Sequence, residues 1–492
     1  MSTIQSPIPT KEVELKPSVR RRVGWSLVTA MIAEVINKAS PLVVLYFAQV
    51  RLQVTAFGQT QYALVAAETL IPFVAFGYNG LASLELGERS KDSRYGGGLI
   101  SNVLCLKAIH LVFVLALWAL FVSSTPGKAP WALDSAAAIL LLASCCDTDF
   151  VHYGSQTVAA RNLFTVAAKI LGAAGVVLFV RDPSDMVIYA AFAAFPALAV
   201  SCLSGAYNLR LFPLRRPNFV EMKALSRRAI PYGLFGFIFA FADRFDVLIV
   251  GHLLGPSMTG IYSGQMRLVQ SVTTAASSIG MIFYAEMVSC NDRPMFTRHA
   301  HLSLWAILTL VAPIVGGIWF VDRSVLTLMY GPSFSNYSLV LDLLTMAALL
   351  QVFVLVLGNQ VLVIRRQVTR YNKIMMFAVA CGALVAWQLS ARWGITGVAI
   401  GNLTAKTITV GLFFIAARPF LESFPWAILM RTLSPAAIMA LALALAGLEN
   451  LWANIALGGL VFGLAFLIIN KAPLRELLGK PSRRPSNGPE SR

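Results

Sequence analysis

The sequence predicts an all-α polytopic membrane protein with about 14 transmembrane helices. Fourteen apolar stretches run from about Gly24 to Asn470, mostly short polar breaks separate them, and none alternates polar with apolar residues. The chain is 57% hydrophobic and 13% charged, with a mean hydropathy of +0.70, whereas soluble domains are ~45–50% apolar. A soluble fold is excluded. Roughly 20 apolar residues cross a bilayer as a helix, while a membrane barrel shows alternating segments of about 10.

The first span, near 24–48, follows Arg20, Arg21 and Arg22. It is too long for a signal-peptide core, so it reads as a retained helix behind a disordered cytoplasmic leader over 1–22. Spans near 56–82, 98–122, 131–152, 160–180 and 185–208 complete a first set of six. The longest polar interruption inside the bundle then follows, from Arg210 to Arg228, with Pro213 and Pro217. A second six lie near 231–254, 262–287, 302–321, 337–363, 373–391 and 395–417, and a final pair near 430–448 and 451–470 shares a tight turn over 447–450. The expected units are an N-lobe (23–209), a basic cytoplasmic linker (210–228), a C-lobe (229–420), helices 13 and 14 (421–470) and a basic cytoplasmic tail (471–492).

Tyr62 and Tyr262 each open a helix after a glycine-containing turn, a weak internal repeat. Six helices return the chain to its starting side, so the halves are expected to be parallel repeats around a central cavity.

The net charge of +17 is distributed by side. With loops assigned alternately, 29 Lys and Arg, Arg161 among them, fall on the side of both termini and five on the other, with six inside spans. The positive-inside rule places both termini in the cytoplasm. The basic excess is a topology signal with anionic-lipid contact, and no nucleic-acid partner is expected.

An ionisable residue inside a span costs about 2.5–3.5 kcal/mol even on a lenient insertion scale, so each needs a reason. The embedded cations are Lys38, Lys107, Lys169, Arg244, Arg267 and Lys406, and they are the candidates for contacting a solute in the cavity. Glu34, Glu68, Asp243, Asp246 and Asp342 are the candidates for balancing them or for coupling to an ion. Glu34 and Lys38 share a helix face four residues apart; a structural ion pair and a cavity-facing site are both open. Lys169 has about nine apolar or small residues on either side, too far from a helix end to snorkel readily. Asp243, Arg244 and Asp246 crowd one point of the seventh span, where they must meet one another, water or the opposite lobe. Arg267 reads either as an interface anchor or as a functional cation. More embedded cations than an apolar solute requires point to an anionic group passing through or docking inside.

Catalysis is not expected: G-x-S-x-G, H-E-x-x-H and Walker A motifs are absent, and no extramembrane domain is predicted. The six cysteines lack metal spacing and read as packing residues, so neither a metal nor a cofactor is expected.

The stretch Asp246 to Pro256 leading to Gly260-Ile261-Tyr262-Ser263 resembles the polysaccharide (O-antigen type) flippases of the multidrug/oligosaccharidyl-lipid/polysaccharide exporter superfamily. Phe57 to Tyr62 echoes it in the first half, with Gly77 to Leu81 at the family's Gly-Leu step, and Trp393 to Ala399 looks like the family's turn into the twelfth helix. The resemblance implies two six-helix lobes around a cavity that opens alternately inward and outward. It further implies a bacterial inner-membrane flippase for an undecaprenyl-pyrophosphate-linked oligosaccharide, serving O-antigen lipopolysaccharide or exopolysaccharide synthesis beside polysaccharide-assembly proteins. Lysines and arginines in the cavity would replace part of the pyrophosphate's hydration. The alternative within the superfamily is a cation-coupled multidrug antiporter, in which Glu34 or Asp243 exchanges H+ or Na+ for a cationic drug.

Overall fold

The computed structural model describes residues 17–88, 93–124, 130–155, 157–290, 292–448 and 450–471, with the side chains of residues 17–39, 41, 42, 88, 158, 285 and 289 outside that description. Among the described residues there is no strand. Among the described residues ten helices are long and apolar enough to cross a membrane, or eleven if the bent pair Val43–Ala75 and Tyr78–Gly87 is one span. The protein is a multi-span helical membrane protein.

The helices in order are α1 (Pro17–Ala75), α2 (Tyr78–Glu88), α3 (Ser93–Ser124), α4 (Trp131–Cys146), α5 (Asp149–Gly154), α6 (Val158–Phe179), α7 (Met186–Leu211), α8 (Phe219–Ala242) and α9 (Phe245–Leu253). They continue with α10 (Gly255–Ser289), α11 (Arg293–Tyr330), α12 (Pro332–Ser335), α13 (Ser338–Phe353), α14 (Val368–Ala417), α15 (Trp426–Ala446) and α16 (Leu451–Ile469).

Two of these are too long for one crossing. At ~1.5 Å per residue a bilayer core of ~30 Å takes about 20 residues, whereas α1 has 59 and α14 has 50. Each contains one residue with non-helical torsions, Gln53 (φ 58°, ψ 173°) and Gly394 (φ 55°, ψ −135°). Both breaks lie between spans read from hydropathy, so each long helix is two arms.

Three further breaks fall inside predicted spans. Phe76 and Gly77 have positive φ between α1 and α2. Asp147 ends α4 in an extended conformation, with Thr148 before α5. Asp243 and Arg244 separate α8 from α9. Non-helical backbone at membrane depth persists only where it is buried in protein or lines a cavity.

The second arm of α1 packs along α10, and the two approach at backbone distance. A Cβ on Gly58 would stand 1.8 Å from the Pro256 carbonyl oxygen, and one on Gly260 would stand 2.2 Å from that of Val54. The glycines of the two repeated motifs are therefore each other's partners. Tyr62 is fitted in the same way against Gly251, whose Cβ would meet its ring at 2.0 Å.

At the other end, the segment between α7 and α8 is fastened to α3. Arg215 N donates to Ser101 Oγ at 2.9 Å, Asn218 N to Asn102 Oδ1 at 2.8 Å, and Asn102 Nδ2 to Glu221 Oε2 at 2.8 Å. The hairpin of α15 and α16 turns at Gly447, in the left-handed region (φ 54°), and Asn450 caps α16 by accepting from Trp452 N and Ala453 N.

Candidate functional site

A cavity of about 590 Å³ lies among α1, α4, α6 and α7, with Asn79 of α2, Asp149 of α5 and Arg267 of α10 completing its wall. Helical periodicity supplies the lining. Gln61, Leu64, Glu68, Ile71 and Ala75 recur at three- and four-residue steps on one face of α1, and Arg161, Thr165 and Lys169 recur every fourth residue on α6. Burying these polar groups toward lipid would cost several kcal/mol each, so they face the water-sized space instead.

The charged groups form two clusters. In the first, Glu68 of α1 lies 3.1 Å from Arg244 Nε and 3.7 Å from Arg267 NH2. Arg267 also donates to Gln61 Oε1 at 3.3 Å, and Gln61 Nε2 to Tyr189 OH at 3.1 Å. Asp243 lies 3.9 Å from Arg244. The α8/α9 break thus sends a guanidinium onto an α1 carboxylate.

The second cluster forms at the α4/α5 break. Asp147 Oδ2 accepts from Asn79 Nδ2 at 2.6 Å, and its Oδ1 accepts from Asp149 N at 2.8 Å. Lys107, fully buried, donates to the Asp147 carbonyl oxygen at 2.7 Å and lies 3.9 Å from Oδ2. Asp149 is paired with Arg161 at 2.5 Å. The end of α4 presents partial negative charge to the Lys107 ammonium, a favourable arrangement at a helix C-terminus.

Of the residues predicted from sequence, Glu68, Lys169 and Arg267 line the cavity, and Arg244 with Asp243 reaches it through Glu68. Lys107 sits behind the wall, held to Asp147. Asp246 is buried elsewhere, accepting from Tyr262 OH at 2.7 Å and Asn402 Nδ2 at 2.5 Å. Lys406 is near Asp243 and Asp246 on α14, and Asp342 is half-buried on α13. Glu34 and Lys38 lie outside the described side chains.

Sequence reasoning missed Asp147, Asp149, Asn79, Gln61 and Tyr189. It also counted Arg161 among the loop cations, whereas the structure puts it in the first turn of α6, paired with Asp149. Its spacing of eight from Lys169 was the available signal. The lining carries both signs of charge, with Glu68, Asp147 and Asp149 alongside Arg161, Lys169 and Arg267. Isolated buried cations are costly, and Arg161 and Arg267 have the carboxylates of Asp149 and Glu68 beside them.

The Asp246–Tyr262 bond joins the two ends of the motif that carries the sequence resemblance, and a family model agrees with it. The model described as "Polysaccharide biosynthesis protein" matches residues 24–284, more than half of the chain. The chain belongs to the polysaccharide biosynthesis protein family. No curated protein matches it. Among solved structures, this family member is similar to the lipid II flippase MurJ in an inward closed conformation, with 13% identity, TM-score 0.69, and coverage of 92% of this chain and 100% of that one. It is also similar to an inward-facing multidrug resistance MATE family transporter of the MOP superfamily, with 16% identity, TM-score 0.59, and coverage of 80% and 97%. A MOP superfamily transporter from Pyrococcus furiosus, whose binding pocket is described as reversed in polarity, matches at 16% identity and TM-score 0.52 over 80% and 95%. These likenesses give the family member the fold of that superfamily, and the resemblance read from Asp246 to Ser263 is borne out.

Proposed function

We propose that this protein is a flippase that carries a lipid-pyrophosphate-linked oligosaccharide across the bacterial inner membrane by alternating access, for cell-surface polysaccharide synthesis. The observation that carries this reading is the pair Arg244 and Arg267 sharing the single carboxylate of Glu68 beside the cavity. With Asp243 3.9 Å from Arg244 the two guanidiniums are balanced in charge, but they stand side by side with only carboxylates to displace, and the planar guanidinium suits phosphate oxygens. Lys169 adds a cation to the same cavity. Family membership and the superfamily fold support transport, and the adjacent guanidiniums support an anionic cargo.

In this reading the arms of α1 and α14 count separately. With α8 and α9 also taken together as one broken span, the chain has fourteen spans: an N-lobe over 23–209, a linker over 210–228, a C-lobe over 229–420 and a terminal pair over 421–470, with both termini cytoplasmic. The sugar occupies the polar cavity and the undecaprenyl tail stays among lipid-facing helices. Coupling, if any, runs on H+ or Na+, and polysaccharide-assembly proteins act on the delivered glycan.

The test is complementation of a clean deletion, with surface glycan and membrane abundance measured together. Lys169→Ala and Lys38→Ala should stop export at normal abundance and leave lipid-linked glycan on the cytoplasmic leaflet, while Lys169→Arg keeps part of it. Normal export by the alanine variants would remove these lysines from the mechanism. A deletion that spares every surface glycan but sensitises cells to cationic drugs would establish the antiporter instead.

A further inference from the structure

Glu68 has an unusual position for a structural counter-ion. It belongs to α1, whereas both its guanidinium partners come from the segment of chain after the linker, Arg244 at the α8/α9 break and Arg267 on α10. The contacts are single rather than forked: Arg244 Nε donates to one oxygen at 3.1 Å, Arg267 stands 3.7 Å from the other, and neither guanidinium makes two bonds to the carboxylate. The three side chains keep 24%, 26% and 35% of their surface exposed, so water screens the ion pairs and makes them exchangeable. Gln61, also on α1, supplies another acceptor to Arg267. Around the two arginines, the α1 side therefore offers what a phosphate group would offer: several oxygen acceptors, one of them charged.

We propose that Glu68 is a built-in surrogate for the anionic group of the cargo, occupying Arg244 and Arg267 until a diphosphate displaces it. The proposal rests on the flippase reading and adds the exchange step. A diphosphate carries more charge and more oxygens than a carboxylate, so it takes both guanidiniums. The displaced Glu68 is then left beside a group of its own sign. Attraction between α1 and the α8–α10 segment becomes repulsion, so docking of the cargo releases one of the contacts that hold these helices together, leaving the glycine crossing to part more readily. With the cavity empty, Glu68 and Asp243 together balance the two arginines, and Glu68 keeps α1 tied to them.

The test uses the full chain in lipid nanodiscs with farnesyl diphosphate as probe, and inorganic pyrophosphate to separate lipid from phosphate contributions. Glu68→Gln removes the competing charge but keeps the shape, and should tighten farnesyl diphosphate binding by up to about five-fold, the scale of one partly exposed ion pair released. Arg244→Gln with Arg267→Gln should abolish binding. In the same nanodiscs, a cysteine pair bridging α1 and α10 should cross-link more slowly in Glu68→Gln without ligand, and in the parent chain only when diphosphate is added. If Glu68→Gln is not recovered folded, Glu68→Asp decides, because its shorter carboxylate reaches the arginines less well and should give a smaller tightening. Binding that depends on both arginines yet is unchanged or weaker in the Glu68 variants overturns the surrogate role and leaves the anion site standing. Absence of diphosphate binding by the parent chain overturns the flippase reading itself.

Discussion

Replacing Gly58 by alanine puts a methyl group into the crossing of α1 and α10. The added Cβ would stand 1.8 Å from Pro256 O and 2.7 Å from Gly260 N, where carbon contacts normally settle near ~3.5 Å. Both neighbours are backbone atoms, so no rotamer change relieves the overlap, and the helices must part by roughly 1.5 Å in an interior packed like a crystal. Such overpacking costs typically ~1–3 kcal/mol, which shifts a two-state equilibrium about 5- to 150-fold. The loss falls on the arrangement in which this end is closed. Thr55 Oγ1 and Ser257 Oγ lie 2.8 Å apart beside the crossing, so cysteines at 55 and 257 in a chain otherwise free of cysteine report closure through oxidative cross-linking. The rate should fall at least about five-fold in Gly58→Ala, and Gly260→Ala should act in the same direction. An unchanged rate at full membrane abundance would refute the argument that backbone contact between these glycines holds the end shut.

Three other outcomes follow from the same structure. Lys107→Ala leaves the buried end of α4 and the Asp147 carboxylate without their cation and should cost ~3–5 kcal/mol, seen as lost abundance and a lower melting temperature. Lys107→Met combined with Asp147→Asn should recover most of the loss, and a double variant as unstable as the single one would contradict the pairing. Tyr262→Phe deletes the 2.7 Å bond to Asp246, worth about 1.5–3 kcal/mol for a charged acceptor; an unchanged melting temperature would mean that Asn402 alone satisfies the carboxylate. Reporter fusions after residue 222 and at the C-terminus should both register cytoplasm, and an external signal at either point would overturn the lobe division.

The fold was legible wherever local chemistry acts alone. The breaks at Gln53 and Gly394 divide helices that hydropathy had already divided, because the length of an apolar run is a property of neighbours in sequence. The three charges at Asp243, Arg244 and Asp246 marked a real discontinuity, since a straight helix there would face lipid with all of them. The identity of the partners was not legible. Glu68 is 176 residues from Arg244 and 199 from Arg267, and nothing in either neighbourhood encodes the other. Lys107 and Asp147 are joined only by the packing of α3 on α4, so Lys107 read as a cavity cation and Asp147 drew no attention. Arg161 was hidden by its position four residues into a helix, where a topology signal and a cavity residue have the same local sequence.

The most direct measurement is translocation by the purified protein in proteoliposomes, using a fluorescent short-chain lipid diphosphate linked to an oligosaccharide and an impermeant quencher to report its leaflet. The account predicts movement well above protein-free vesicles, abolished by Arg267→Ala and absent for an uncharged lipid-linked glycan. Movement of both lipids alike, undiminished by Arg267→Ala, or movement of neither, would contradict it.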